Sequence, residues 1–111
     1  MFCKSARILF ILMAAVQLAN AQTTGTTVFE SGTEGHKTYR IPAIVGLPNK
    51  NLLAFCEGRV NGSGDFGDIN IVLKKSTDGG ATWSALSTVI DYNNLQAGNP
   101  APVVDLTDPR Y

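Results

Sequence analysis

From residue 40 onward the chain is a succession of short apolar runs, each broken by a cluster of Gly, Asn, Asp or Pro. None keeps an apolar period of 3.6 residues for more than one turn, so the pattern predicts strands rather than helices. The first run covers 40–47 and ends at Pro48-Asn49-Lys50-Asn51. The second covers 52–59, and its alternation puts Leu53, Phe55, Glu57 and Arg59 on one face. The third, 68–76, sets Ile69, Ile71 and Leu73 against Asn70 and Lys74. A fourth strand is expected to begin near Trp83, and Val103-Val104 to open another. Many short, evenly spaced strands describe an all-β sandwich, barrel or propeller, and the pattern alone does not choose among them.

The N-terminus has a different character. Lys4 and Arg7 precede an uncharged apolar run over 8–18, and Ala19-Asn20-Ala21 supplies the A-x-A spacing of a signal-peptidase site. Residues 1–21 therefore read as a signal peptide, leaving 22–111 as the mature chain. The apolar run falls short of the ~20 residues a membrane span needs. The expected destination is outside the cytoplasm: secreted or periplasmic, or lysosomal in a eukaryotic source. The mature part carries seven basic and nine acidic residues, a net charge of −2 that favours neither nucleic acid nor a membrane surface. Only Cys56 remains after processing, so neither an intrachain disulfide nor a cysteine metal site is expected. A lone thiol within an apolar run reads as a small buried hydrophobe. His36, the one histidine, lies in a polar stretch and is expected to be solvated.

Ser76-Thr77-Asp78-Gly79-Gly80-Ala81-Thr82-Trp83 has the makings of a hairpin turn. Ser and Asp side chains accept backbone N–H bonds, the glycines supply positive φ, and the indole packs at the base of the next strand. An aspartate tied into its own turn is poorly placed to meet a substrate, which excludes Asp78 from catalysis. Gly62-Ser63-Gly64-Asp65-Phe66-Gly67 fits G-x-G-x-x-G formally. A dinucleotide site would need a helix after it, whereas 69–73 alternates as a strand. Asp65, Asp68 and Asn70 lack the spacing of a calcium loop. No cofactor or metal is expected. Asn61-Gly62-Ser63 is a glycosylation sequon, relevant only in a eukaryotic source, where a glycan would crowd Asp65.

Several motifs occur together in one order: Tyr39-Arg40-Ile41-Pro42, Leu53-Ala54-Phe55 leading into Glu57-Gly58-Arg59, then Asp65, the 76–83 turn, and Asn99-Pro100-Ala101-Pro102. The set resembles the N-terminal part of the exo-α-sialidase (neuraminidase) family, whose propellers carry the Asp-box repeat S-x-D-x-G-x-x-W. The likeness extends from about Phe29 to Asp105. It implies a six-bladed β-propeller. At ~40–50 residues per blade, six blades need on the order of 300 residues, so this chain would hold about the first two. Two blades alone leave strand edges unpaired, and such a piece is expected to aggregate or stay disordered.

The same resemblance implies roles. Arg40 matches the first of three arginines that grip the carboxylate of sialic acid, a task suited to a guanidinium fork. Asp65 matches the general acid/base that delivers a proton to the leaving glycosidic oxygen, with Asp68 as its rival. A mobile loop around it would suit a residue that has to approach a bound sugar. Arg59 is expected to touch the sugar beyond its carboxylate, and Glu57 to hold an arginine in position. The family's nucleophile, a tyrosine paired with a glutamate, matches none of Tyr39, Tyr92 or Tyr111, and the two further arginines are not in this sequence. The expected activity is retaining hydrolysis of terminal sialic acids from glycoproteins, glycolipids or oligosaccharides, or transfer of the sugar to an acceptor. The alternative is a non-catalytic propeller that binds glycans or proteins, although a binding module has no need of an acid.

Overall fold

The alternating runs become four strands in the computed structural model, which describes residues 24–108. The expected signal peptide lies outside the described residues. The strands are β1 (Thr38–Gly46), β2 (Leu52–Arg59), β3 (Ile69–Ser76) and β4 (Ser87–Ile90). They form one antiparallel sheet in the order β1-β2-β3-β4. A four-stranded meander of this kind is the unit from which propeller blades are built. The described residues are all-β and contain no helix, hence none long and apolar enough to cross a membrane.

The first three strands start and stop within two residues of the positions their alternation predicts. Asn49 and Lys50, both at φ 61°, turn the chain between β1 and β2, and the Leu47 amide closes that turn on the Asn51 carbonyl at 2.8 Å. Strands β2 and β3 run in unbroken register from Leu52↔Ser76 to Arg59↔Ile69. As the two central strands they are the most buried, with consecutive residues covered at the end where Arg59 pairs with Ile69. Ala54, Cys56, Ile69, Ile71 and Val72 are buried together with Ala97 from the segment after β4.

His36 departs from expectation: it is buried rather than solvated, with 7% of its surface exposed. Its ring lies flat on β2 at Gly58. A methyl group there would come within 2.6 Å of the imidazole, so only glycine leaves room for it. Nδ1 meets the Glu34 carbonyl at 3.0 Å, and Nε2 faces the Asn70 amide nitrogen at 3.5 Å. The polar sequence around His36 misled because its covering comes from another strand. Residues just upstream pack on the same sheet: the Phe29 ring sits 5.3 Å from Tyr39, and Glu34 pairs with Lys74 at 2.5 Å.

Two strand expectations change. The fourth strand begins at Ser87 rather than near Trp83, because residues 76–83 are occupied by the turn. Val103-Val104 forms no strand: Val103 is 93% exposed and has no neighbouring ladder to join. Where about two blades were expected, the described residues supply one four-stranded sheet followed by an irregular segment.

The turn at 76–83 is built as its residues suggest. The Asp78 carboxylate accepts from the Thr82 amide at 2.9 Å, the Thr82 hydroxyl at 2.5 Å and the Ser76 hydroxyl at 2.8 Å. The Ser76 oxygen in turn accepts from the Gly80 amide at 2.9 Å, and the Trp83 indole donates to the Gly80 carbonyl at 3.1 Å. The bond from the Thr82 hydroxyl, followed by the Thr82 amide and Ser76, holds the Asp78 carboxyl down to about 2. A depressed folded value means that Asp78 stabilises the fold fully above the ordinary aspartate range, and that this contribution disappears as pH falls from about 4 towards 2. Urea unfolding of wild type and Asp78→Ala should therefore differ at pH 5 and converge near pH 2. A pH-independent difference would contradict the assignment.

Candidate active site

The site begins with a defect in β1. Its pairing with β2 shifts between Arg40 and Ala43, and Ile41 within this bulge has φ 53°. A β-branched residue in the left-handed region is strained, and such strain persists only where its surroundings impose it. One of those surroundings is Cys56, whose buried thiol donates to the Arg40 carbonyl at 2.9 Å. Burial pushes this thiol up to about 11, so it acts as a fixed donor and not as a nucleophile. Bulges re-aim side chains, and this one leaves the Arg40 side chain half-exposed beside the β2–β3 loop.

That loop, residues 60–68, is closed by the Val60 amide on the Asp68 carbonyl at 3.1 Å. Its first half is strapped down. Thr38 Oγ1 donates to the Gly62 carbonyl at 2.5 Å, and Arg59 Nη1 donates to the Ser63 and Gly64 carbonyls at 2.6 and 2.9 Å. The expectation of a mobile loop thus gives way, as far as residue 64, to one tethered by β1 and β2. The G-x-G-x-x-G stretch is this strand-to-strand loop, and no helix follows it.

Asp65 stands at the end of the tethered stretch. Its Oδ1 accepts from Arg59 Nη1 at 2.7 Å and from Arg40 Nη1 at 3.2 Å. The hydrogen bond and charge of Arg59, then the charge of Arg40, hold its carboxyl below the usual aspartate range, so it is an anion here. Asp68 does not line the cleft that contains Arg40 and Asp65; with Asn61 and Phe66 it borders a separate hollow, which Arg59 also lines.

Arg59 and Glu57 share a face of β2, as alternation predicted, and both are buried, with side chains 3% and 2% exposed. Arg59 Nε and Nη2 both donate to Glu57 Oε2, at 3.0 and 2.6 Å. Burial alone would weaken the guanidinium's hold on its proton, but the bonds to Glu57 and then Asp65 outweigh it and hold Arg59 charged. The arginine that Glu57 holds is therefore Arg59. The other carboxylate oxygen, Oε1, accepts from the Asn99 amide at 2.9 Å.

That last bond brings in a segment that the sequence did not mark as part of the site. Ile69 and Gln96 form a parallel bridge, with the Ala97 amide on the Ile69 carbonyl at 2.8 Å, and this lays 96–99 beside Glu57. Two traces of the contact were legible: Asn99 opens the Asn99-Pro100-Ala101-Pro102 motif, and a side chain at Gly98 would meet Glu57 Oε1 at 2.8 Å. The outcome is a cleft of about 270 Å³ lined by Arg40, Ile41, Glu57, Arg59, Asp65, Gln96 and Asn99. All four residues singled out from sequence meet there. The described residues that line it include no tyrosine, and nowhere among the described residues do three His, Cys, Asp or Glu side chains group as metal ligands.

The chain is 42% identical over 77 residues to an exo-alpha-sialidase of Aspergillus fumigatus, a match covering 64% of this chain. It is 39% identical over 82 residues to a sialidase of Micromonospora viridifaciens, covering 73%. This chain belongs to the sialidase family. An anhydrosialidase of Macrobdella decora extends the family likeness to 76% of the chain at 31% identity. No protein-family model matches. The matched regions span between 11% and 21% of the relatives' own lengths, so this sialidase-family chain corresponds to a small part of each of them. The all-β sheet agrees with a partial sialidase propeller, and the family is one of glycoside hydrolases.

Proposed function

We propose that the complete protein to which this chain contributes is a retaining exo-α-sialidase acting on terminal sialic acids of glycoproteins, glycolipids or oligosaccharides. The observation that carries this reading is the meeting of Arg40, Arg59 and Asp65 in one cleft. Arg40 is the cation exposed enough to receive a substrate carboxylate. Asp65 lies within a hydrogen bond of it, where a proton donor to the glycosidic oxygen would be needed. Arg59 keeps the loop carrying Asp65 in place and, through Asp65, orders the edge of the site. The nucleophile would come from residues beyond this chain, and a neutral phenol suits a substrate that already carries a negative charge. The signal sequence would export the protein, and sialylated glycans would be its partners.

The test is release of sialic acid from sialyllactose by the complete protein. Arg40→Ala should lower kcat/KM by about 10- to 100-fold, the scale of a lost charged hydrogen bond in a desolvated site. No release by wild type, or an Arg40→Ala variant within twofold of it, would sink the proposal.

A further inference from the structure

We infer that Asp65 and the carboxylate of an incoming sialic acid compete for the Arg40 guanidinium, so that seating the sugar is the event that frees the acid. This deepens the sialidase reading and rests on it, since Arg40 must be the carboxylate ligand and Asp65 the acid.

The competition centres on a single oxygen. Asp65 Oδ1 lies between Nη1 of Arg59 and Nη1 of Arg40, and Arg40 reaches this loop through Nη1 alone, to Asp65 at 3.2 Å and to the Ser63 carbonyl at 3.3 Å. A ligand carboxylate that takes both terminal nitrogens of Arg40, as a bidentate pair does, has to contend at Nη1 with one already in contact. The two arginines differ in how readily they exchange partners. The Arg40–Asp65 pair is open to solvent, with side chains 48% and 68% exposed. Exposed pairs are weak and are readily replaced. Arg59 is locked by Glu57 and by two loop carbonyls, and it stays where it is. Exchange therefore takes place at Arg40, with Arg59 as the fixed side.

The charges around Asp65 give the exchange its chemical sense. Arg40 faces it from β1 and Arg59 from β2, with Glu57 behind Arg59; Gln96 and Asn99 line the same cleft as neutral groups, and Asp68 borders the separate hollow. Two cations hold Asp65 as an anion, the wrong form for a proton donor. When a sugar carboxylate takes Arg40, Asp65 loses one cation and gains a neighbouring anion. Both changes favour the neutral acid. Arg59 still holds Oδ1, so binding draws in a proton from solvent for part of the bound molecules, up to one per sugar. That proton later passes to the glycosidic oxygen as the C–O bond breaks, the aglycone leaving as an alcohol while the anomeric carbon bonds to the nucleophile that the complete protein supplies.

Calorimetric titration of the complete protein with sialic acid near pH 5, in buffers of differing ionisation enthalpy, tests this. Wild type should take up protons on binding. Asp65→Asn, which keeps the side chain's size and removes its charge, should take up none and bind about fivefold tighter, because the competitor is gone. The methyl ester of sialic acid should bind weakly and without proton uptake. Equal or weaker binding by Asp65→Asn, or no proton uptake by wild type, overturns the competition while leaving Arg40 as the carboxylate ligand. Equal binding by wild type and Arg40→Ala, or no binding at all, instead overturns the sialidase reading beneath it.

Discussion

Replacing Asp65 with alanine in the complete protein should slow hydrolysis of sialyllactose by about 10²- to 10⁴-fold, the range of a lost general acid, while activated aryl sialosides slow far less. The reason is leaving-group basicity. A galactose alkoxide departs poorly unless a proton meets it as the bond breaks, whereas a phenolate of low pKa leaves unaided. Asp65 is suited to the role by its place at the end of a tethered stretch, one residue past the Gly64 carbonyl that Arg59 holds. Its strong exposure lets it follow a substrate. The measurement is kcat for a pair of substrates sharing the sialyl group and differing in aglycone. Equal slowing on both would take Asp65 out of the acid role and leave it as a partner of the arginines. Asp68→Ala, altering a residue that does not line the Arg40 cleft, should leave the ratio between the two substrates unchanged.

The second large effect is on stability. Glu57→Ala should destabilise the fold by about 3 kcal/mol, the lower end of the cost of breaking a buried pair, because it removes the buried counter-charge of Arg59 and leaves only the exposed Asp65. Arg59 would lose both of its bonds to Oε2, and the Asn99 amide its acceptor on Oε1. Asp65 and two loop carbonyls would remain, which is why a folded but weakened protein is expected. Denaturant unfolding measures that loss, and Glu57→Leu, Arg59→Met and the double variant Glu57→Leu/Arg59→Met, all in the complete protein, form the cycle. Each single change should cost more than the pair together, since two apolar residues of similar volume leave no orphaned charge. Additive losses would mean that Glu57 and Arg59 do not depend on each other. Activity in the single variants should fall beyond the loss of folded protein, because Arg59 positions Asp65.

Much of this was legible in the residues themselves. Period-two alternation set the first three strands to within two residues, and it put Glu57 and Arg59 on one face, where they pair. The turn closed by Asp78 could be read because all its partners lie within a few residues. The exclusion of a nucleotide loop was equally local, resting on the strand that follows. Arg40 and Asp65 were a different matter: motif likeness marked each separately, and nothing in their spacing placed one against the other.

Their meeting depends on long-range geometry. Arg40 and Asp65 are 25 positions apart and touch only because β1 aligns Arg40 opposite Glu57 and then bulges. The segment with Gln96, Gly98 and Asn99 reaches Glu57 through one parallel bridge to Ile69, a pairing that no local pattern encodes. His36 is buried because Gly58, on a strand 22 residues later, presents no side chain. By itself the sequence determined where the chain extends and where it turns, since backbone preference and side-chain alternation act over a few neighbouring residues. Tertiary structure decided which carboxylate each arginine holds and which residues close the cleft, because contacts between distant segments follow from strand register and packing.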